Sequence, residues 1–300
     1  MKKAILLYNA YAGHRTVVSE LDNIINLVQE QGYQIRMHRS RAAGDFRKYI
    51  KKFITEENTD LIIVSGGDGT LNECISAMCK KGIDIPILLL PLGTSNDFAN
   101  AAGISANVTE ALGLLESGKL TYVDIGEVNG DSYFINVCDM GLFSGISHSI
   151  DPEMKKKFGR LAYYYKGIEE IQNFEAMDIT ITTEDQVLND KYVLILVFNG
   201  TGAGGLYNLA KNADIQDGLF DIVCIKDLKL FDAPALMFRV LQGEHLKDPH
   251  VDYLTGSKIS IVCHNENLET FVTDVDGEAG PSLPMDIQVL QNKIRIYLPE

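Results

Sequence analysis

Three short stretches of the chain gather glycines, hydroxyls and carboxylates at spacings that suit phosphate chemistry. The first is Ser65-Gly66-Gly67-Asp68-Gly69-Thr70-Leu71-Asn72-Glu73. Glycines there let the backbone turn sharply and bring N–H groups close to an anion. A helix beginning at such a turn adds the partial positive charge of its N-terminus. The pattern is neither the GxxxxGK[ST] loop nor the GxGxxG dinucleotide fingerprint. The second stretch, Pro91-Leu92-Gly93-Thr94-Ser95-Asn96-Asp97-Phe98-Ala99, repeats the logic with two hydroxyls and a carboxylate. Ser, Thr, Asn and Asp are also ordinary helix caps, but capping does not account for both Gly-Gly-Asp-Gly and Gly-Thr-Ser-Asn-Asp. The third, Asp276-Gly277-Glu278, reads either as a carboxylate able to accept a proton or as a turn between strands.

Buried strands must carry the first two turns. Leu61–Val64 and Ile87–Leu90 are continuous apolar runs, as expected of strands covered on both faces of a parallel sheet. Ala4–Tyr8 and Gln34–Met37 read as further strands, and Val17–Gln31 and Gly44–Glu57 as helices. Alternating βα units of this kind predict an open α/β sheet with helices on its faces, which binds ligands at the carboxyl ends of its strands. After about Tyr122 the texture changes. Strands are expected at Ile125–Val128, Tyr133–Val137, Met177–Thr182, Tyr192–Phe198, Phe220–Ile225, Lys258–Val262, Thr270–Val275, Ile287–Leu290 and Lys293–Leu298. Helical stretches at about Gly159–Asn173 and Leu230–Gln242 interrupt them. The fold class expected is an α/β nucleotide-binding domain over residues 1–122, rejoined by the last ten or so residues. A mostly antiparallel β domain is expected over residues 123–290.

Composition excludes several functions. Hydrophobic residues at 46% and charged residues at 23% are ordinary for a globular protein. No apolar run approaches the ~18 residues of a membrane span. The apolar run after Met1-Lys2-Lys3 stops at Asn9, too short for a signal peptide and better read as a first strand. A cytoplasmic location is therefore expected. The five cysteines are scattered without a CxxC pair, so neither a disulfide framework nor a zinc site is indicated. The net charge of −14 is the wrong sign for nucleic acid. It also requires any contact with an anionic bilayer to come from a local basic patch. The stretch Glu153–Lys166 supplies a candidate: Lys155, Lys156, Lys157 and Arg160 lie beside Phe158, Tyr163, Tyr164 and Tyr165. The same residues would equally suit an ordinary amphipathic surface helix.

Taken together, GGDGT at Gly66–Thr70 and PLGTSNDFA at Pro91–Ala99 resemble the diacylglycerol kinase catalytic family, which includes sphingosine and ceramide kinases, and within it the soluble bacterial enzymes. GGDGT alone is shared with NAD kinases and is akin to a phosphofructokinase turn; the second motif is more specific. The likeness continues through Gly204-Gly205, Asp217–Asp221 and Asp276–Glu278, covering nearly the whole chain. It implies a nucleotide-binding first domain of the NAD-kinase or phosphofructokinase type, a β-sandwich second domain that takes the lipid, and an active site in a cleft between them. It further implies that Asn9, Ser40, Gly66, Gly67, Asp68, Gly69, Thr70, Leu71, Thr94 and Asn96 contact ATP. Asp68, Asp97 and Asp124 would organise Mg²⁺ and water around the phosphates. Glu278, with Asp276 beside it, would accept the proton of the lipid hydroxyl. Asp217 with the carbonyls of Asp214 and Leu219 would hold a structural Mg²⁺, where an Asp-Gly turn needs no metal. A homodimer and peripheral contact with the membrane are also implied.

Two positions depart from the family's pattern. Asn9 is followed by Ala10 where proline is usual, and Ala210 by Lys211. Both would alter loop rigidity without removing a chemical group. Phosphoryl transfer asks the protein chiefly to position and neutralise phosphate, so a lysine-poor loop suffices. The expected activity is transfer from MgATP to a lipid hydroxyl, most simply that of diacylglycerol. The alternatives are another lipid, NAD, or a regulator that binds lipid or nucleotide without turnover.

Overall fold

The structure is a computed structural model and describes residues 1–10, 16–142, 174–229, 231–266 and 271–300. The chain forms two compact units, one comprising Met1–Ile125 with Leu290–Glu300, the other Gly126–Val289.

In the first unit, strands β1 (Lys2–Tyr8), β2 (Tyr33–Arg39), β3 (Leu61–Gly66) and β4 (Ile87–Pro91) lie parallel in the order β2-β1-β3-β4. Every residue of β3 and β4 is buried, as their unbroken apolar runs require. Helices α1 (Thr16–Ser19), α2 (Leu21–Glu30), α3 (Asp45–Phe53), α4 (Asp68–Lys81), α5 (Asp97–Ala101) and α6 (Val108–Ser117) connect the strands. The sheet changes direction at β1, whose neighbours are β2 on one side and β3 on the other. The carboxyl ends of β1 and β3 therefore flank the switch point where open α/β sheets bind ligands. Asn9 N–H donates to the Ser65 carbonyl at 3.1 Å across that point.

In the second unit the strands are antiparallel: β6 (Ser132–Phe134), β7 (Val137–Gly141), β8 (Met177–Thr182), β9 (Val187–Phe198), β10 (Phe220–Lys226), β11 (Val251–Gly256), β12 (Lys258–Cys263), β13 (Thr273–Val275) and β14 (Glu278–Ala279). β5 (Lys119–Val128) and β15 (Met285–Leu298) contribute residues to both units. One face of the sheet packs around Phe134, Tyr192, Phe220 and Ile261. The opposite face packs around Phe198, Val223, Leu236 and Val240, the last two from α7 (Ala233–Gln242).

Four sequence expectations are corrected. The single strand expected at Tyr133–Val137 is two strands, because the N–H groups of Ile135, Asn136 and Val137 all donate to the carboxylate of Asp276. The strands expected at Ile287–Leu290 and Lys293–Leu298 are one, β15. Asn292 stays in it with φ of 51° and gives its N–H to Asp124. Strand β11 was not expected at all, since Asp252, Tyr253 and Thr255 dilute its alternation. The helix expected at Leu230–Gln242 begins at Ala233, with proline in its first turn. The helix expected at Gly159–Asn173 lies outside the described residues.

Candidate active site

The two glycine turns are built against each other. A Cβ on Gly93 would stand 2.3 Å from the Gly67 Cα, and one on Gly67 would stand 3.0 Å from the Gly93 Cα. Only glycine at both positions allows backbone to meet backbone here. Leu92 N–H donates to the Gly66 carbonyl at 3.0 Å, extending the β3–β4 ladder into the turns. Asn96, at φ of 52°, closes the second turn. Its Oδ1 accepts from Gly93 N–H at 2.8 Å and its Nδ2 donates to the Pro91 carbonyl at 3.0 Å. The amide expected to contact nucleotide is thus engaged within its own turn.

Asp68 is the first residue of α4, and its Oδ1 accepts from the Phe98 N–H of α5 at 3.1 Å. One half-buried carboxylate ties the two turns together while keeping acceptor capacity. Gly69, Thr70 and Asp97 are also half-buried, Thr94 is exposed, and Leu71 is buried beneath. Ser40 N–H donates to the Tyr8 carbonyl and its Oγ to the Ala42 carbonyl, so its hydroxyl braces the loop after β2. Asp124 is fully buried and accepts from Asn292 N–H at 2.7 Å. Among the described residues no group of three or more His, Cys, Asp or Glu is close enough to form a ready-made metal cage. Mg²⁺ keeps several waters and is held by one or two carboxylates plus substrate phosphates, so half-buried Asp68 and Asp97 fit it without such a cage.

In the second unit, Asp276-Gly277 is a two-residue hairpin turn with both φ angles positive, 51° and 88°. Asp276 is 5% exposed. Its Oδ2 accepts from Ile135 N–H at 2.7 Å, and its Oδ1 accepts from Asn136 and Val137 N–H at 3.0 and 2.9 Å. Asp274 accepts the Gly277 N–H beside it. Glu278 opens β14 and is exposed. Of the two carboxylates proposed from sequence, one is taken up by three backbone donors and the other is presented to solvent. The Cys138 thiol is pushed well above its usual range, first by burial and then by Asp139, Asp276 and Asp274, so it stays neutral.

A diacylglycerol kinase catalytic domain profile matches residues 3–128, and a profile described as the YegS C-terminal NAD kinase beta sandwich-like domain matches residues 140–298. Diacylglycerol kinase of Bacillus subtilis (strain 168) is 30% identical over 100% of this chain and 97% of its own length. The chain belongs to the diacylglycerol kinase family. A diacylglycerol kinase of Staphylococcus saprophyticus is 29% identical over 99% of this chain and 96% of its own. A solved diacylglycerol kinase of Bacillus anthracis str. Sterne superposes with a TM-score of 0.79, at 28% identity, covering 99% of this chain and 96% of that one. The kinase is therefore an α/β catalytic domain followed by a β-sandwich-like domain.

Elsewhere in the kinase, the loop Asp214–Leu219 is braced by its own hydrogen bonds. Gln216 N–H donates to Asp214 Oδ1 at 3.0 Å and Leu219 N–H to Asp217 Oδ1 at 2.9 Å. Asp214, Asp217 and Leu219 are exposed. Burial, together with the nearby charge of Asp217, raises the pKa of the Asp221 carboxyl, which the Tyr253 hydroxyl partly offsets by donating to it. No helix among the described residues is long and apolar enough to cross a membrane. Lys155, Lys156, Lys157 and Arg160 lie outside the described residues.

Two buried polar side chains, Ser65 inside the first motif and Asn136 outside all three, were given no role of their own from sequence. Ser65 is fully buried at the end of β3, with no hydrogen-bond partner for its Oγ. Asn136 is 2% exposed; its Nδ2 donates to the Gly202 carbonyl at 3.0 Å, and its Oδ1 has no partner. An asparagine inside the apolar run Tyr133–Val137 was the available signal. A groove of about 730 Å³ in the second unit, lined by Glu127, Asn129, Thr182, Lys258, Asp286 and Gln288 among others, contains none of the site residues.

Proposed function

We propose that the kinase transfers the γ-phosphoryl group of ATP to the hydroxyl of diacylglycerol, forming phosphatidic acid. The observation that carries this reading is the division of labour between Asp276 and Glu278. The first is anchored by three backbone N–H groups. The second is exposed at the start of β14, with a carboxylate that can take a proton. The hydroxyl oxygen attacks the γ-phosphorus, the bond to the β,γ-bridging oxygen breaks, ADP leaves with that electron pair, and the hydroxyl proton passes to Glu278. Backbone N–H groups of the Gly66–Thr70 turn and the N-terminus of α4 receive the phosphates. Asn9 and Ser40 border the same edge of the sheet. Asp68 and Asp97, with Asp124, would hold Mg²⁺, which would supply neutralisation of the phosphate charge.

Sequence likeness to proteins named diacylglycerol kinase supports this lipid over the alternatives. The test is Mg²⁺-dependent transfer of labelled γ-phosphate in mixed micelles containing diacylglycerol, ceramide, sphingosine or phosphatidylglycerol, with NAD as soluble acceptor. Labelled phosphatidic acid that falls at least about 10³-fold in Asp68→Ala is the expected result. Labelling of NAD alone, or of a different lipid alone, would replace the substrate proposed here.

A further inference from the structure

Helix α7 is apolar on both sides. Ala233, Leu236 and Val240 face inward against the β9–β10–β11 sheet. Pro234, Ala235, Phe238 and Leu241 form the opposite stripe and are exposed, as is Phe231 just ahead of the helix. The exposed fractions are 92% for Phe231 and 61% for both Phe238 and Leu241. A surface helix ordinarily turns charged and polar residues outward, and one apolar all round is normally buried. Tyr207, 49% exposed, precedes Asn208 in the chain, near the C-terminal end of the helix. A Cβ on Gly243, which caps α7, would stand 3.8 Å from its neighbour Asn208. An exposed apolar patch rimmed by polar residues marks an interaction site.

Area and charge select the occupant. At roughly 200 Å² per large apolar side chain, Phe231, Phe238 and Leu241 expose on the order of 400 Å², about half the ~800 Å² per partner of a stable protein interface. A bilayer sets no such minimum. Lys229, Arg239 and Lys247 are exposed around the stripe, with Arg239 reaching Asp248 at 3.4 Å while its side chain stays 47% exposed. From Lys226 to Lys247 the cations Lys226, Lys229, Arg239 and Lys247 stand against Asp227, Asp232 and Glu244. Lys226 reaches Asp190 and Asp252 at 3.2 and 3.1 Å, so the exposed cations beside the stripe are Lys229, Arg239 and Lys247. Anionic lipid surfaces repel acidic protein and attract local cations, so this apolar face is one that can approach them.

We propose that α7 docks on the surface of a lipid bilayer, lying in the interface plane with Phe231, Phe238 and Leu241 inserted at the boundary of headgroups and acyl chains. The proposal rests on the lipid-kinase reading, since a kinase for a soluble acceptor has no need of a bilayer. Hydrogen bonds connect this face to the candidate base. His245, just beyond α7, donates to the Leu209 carbonyl, and Ala210 N–H donates to Thr201. Asn136 holds Gly202, and Asp276 holds both Asn136 and the hairpin that opens into Glu278.

The test compares the wild-type protein with Phe231→Ser/Phe238→Ser/Leu241→Ser in sedimentation with vesicles of phosphatidylcholine, with and without phosphatidylglycerol. Turnover is measured in parallel on vesicle-embedded dioleoylglycerol and on a short-chain diacylglycerol dissolved below its micellar concentration. The expected result is at least a tenfold fall in vesicle-bound protein and a raised KM for the embedded substrate only, with short-chain turnover unchanged. Phe231→Ser alone, at a position almost wholly in solvent, should give a smaller fall without any loss of folding. Lys229→Gln/Lys247→Gln should remove the preference for phosphatidylglycerol-containing vesicles. Unchanged sedimentation in the triple variant would overturn the proposal. So would a change in its oligomeric state by light scattering, which would make a second copy the occupant. Absence of turnover on every lipid by the wild-type protein would sink the lipid-kinase reading instead, and vesicle binding would still be scored separately.

Discussion

Asp68 and Asp276 look alike in the sequence, each an aspartate followed by glycine after a buried strand, and the fold uses them in opposite ways. Asp68 is half-buried and accepts from the Phe98 N–H, leaving lone pairs available to a ligand. Asp276 is buried and accepts from three successive residues. In the first unit the site is shaped by missing side chains, with Gly67 and Gly93 letting two turns touch. In the second unit a hairpin is anchored by a side chain that stands in for a strand ladder. A carboxylate surrounded by backbone donors positions its neighbours, whereas one with spare acceptor capacity is available for chemistry. On the proposed mechanism, Asp276 is accordingly a positioning residue for Glu278.

The sharpest way to break this comparison is Asp276→Ala. It would leave three buried N–H groups unpaired, at ~1–3 kcal/mol each. We expect a stability loss of about 5 kcal/mol in urea unfolding, concentrated in the second unit. Asp276→Asn retains one acceptor oxygen and should lose less than half as much. If Asp276 only positions, the Asn variant keeps the wild-type pH profile of kcat/KM at reduced amplitude. A lost acidic limb in that profile would return Asp276 to the chemistry as a base.

Glu278→Gln provides the opposite case. Exposed at the start of β14, Glu278 should leave unfolding within ±0.5 kcal/mol of wild type. Turnover should fall by roughly 10²-fold or more with ATP affinity retained, as measured by rapid kinetics and equilibrium binding. Normal turnover would remove Glu278 from the mechanism.

Gly93→Ala tests the first unit. Its Cβ would sit 2.3 Å from backbone, which cannot yield as a flexible side chain can. A cost of about 1–3 kcal/mol is expected, with the damage falling on nucleotide affinity because both turns must separate. Ala at Gly113, an exposed position of α6 where a Cβ meets nothing within 4 Å, is the control and should leave nucleotide affinity unchanged while stabilising the helix by about 0.5–1 kcal/mol. Equal effects at the two positions would mean that the packed turns do not shape the site.

How much of this was legible in advance depended on the range of the forces involved. β3 and β4 were readable because an unbroken apolar run is a local signal. The break between β6 and β7 was not, because the group that captures Asn136 lies 140 residues away. Asn292 likewise marked the gap between two expected strands, yet its N–H is held by Asp124 and the strand continues. Glycine spacing suggested two phosphate turns but could not reveal that Gly67 and Gly93 touch. Asn96 was placed with the nucleotide on its motif; its hydrogen bonds to Gly93 and Pro91 are visible only once the turn is formed. The outward apolar stripe of α7 was present in the sequence, but which of two apolar faces would be covered depends on the sheet beneath.

The smallest effect expected concerns the loop that joins α7 to β11. His245 is 1% exposed, and its Nε2 must carry a hydrogen to donate to the Leu209 carbonyl at 2.9 Å. Nδ1 is then the bare nitrogen, and it has no partner. Charging the ring would put a proton on a buried atom with nothing to receive it, so burial lowers the folded-state pKa below 6.5. Above pH 6.5 both folded and unfolded forms are neutral and the stability is intact. As pH falls through 6.5 the unfolded chain binds a proton that the folded chain refuses, and stability declines by up to about 1.4 kcal/mol per pH unit. The decline ends where the folded ring itself titrates. Urea unfolding at pH 7.5 and 5.5 should therefore show a larger loss in wild type than in His245→Gln, whose amide can still donate to Leu209. Equal losses would mean that the folded ring protonates as readily as the unfolded one, and that the Leu209 contact survives a charged imidazole.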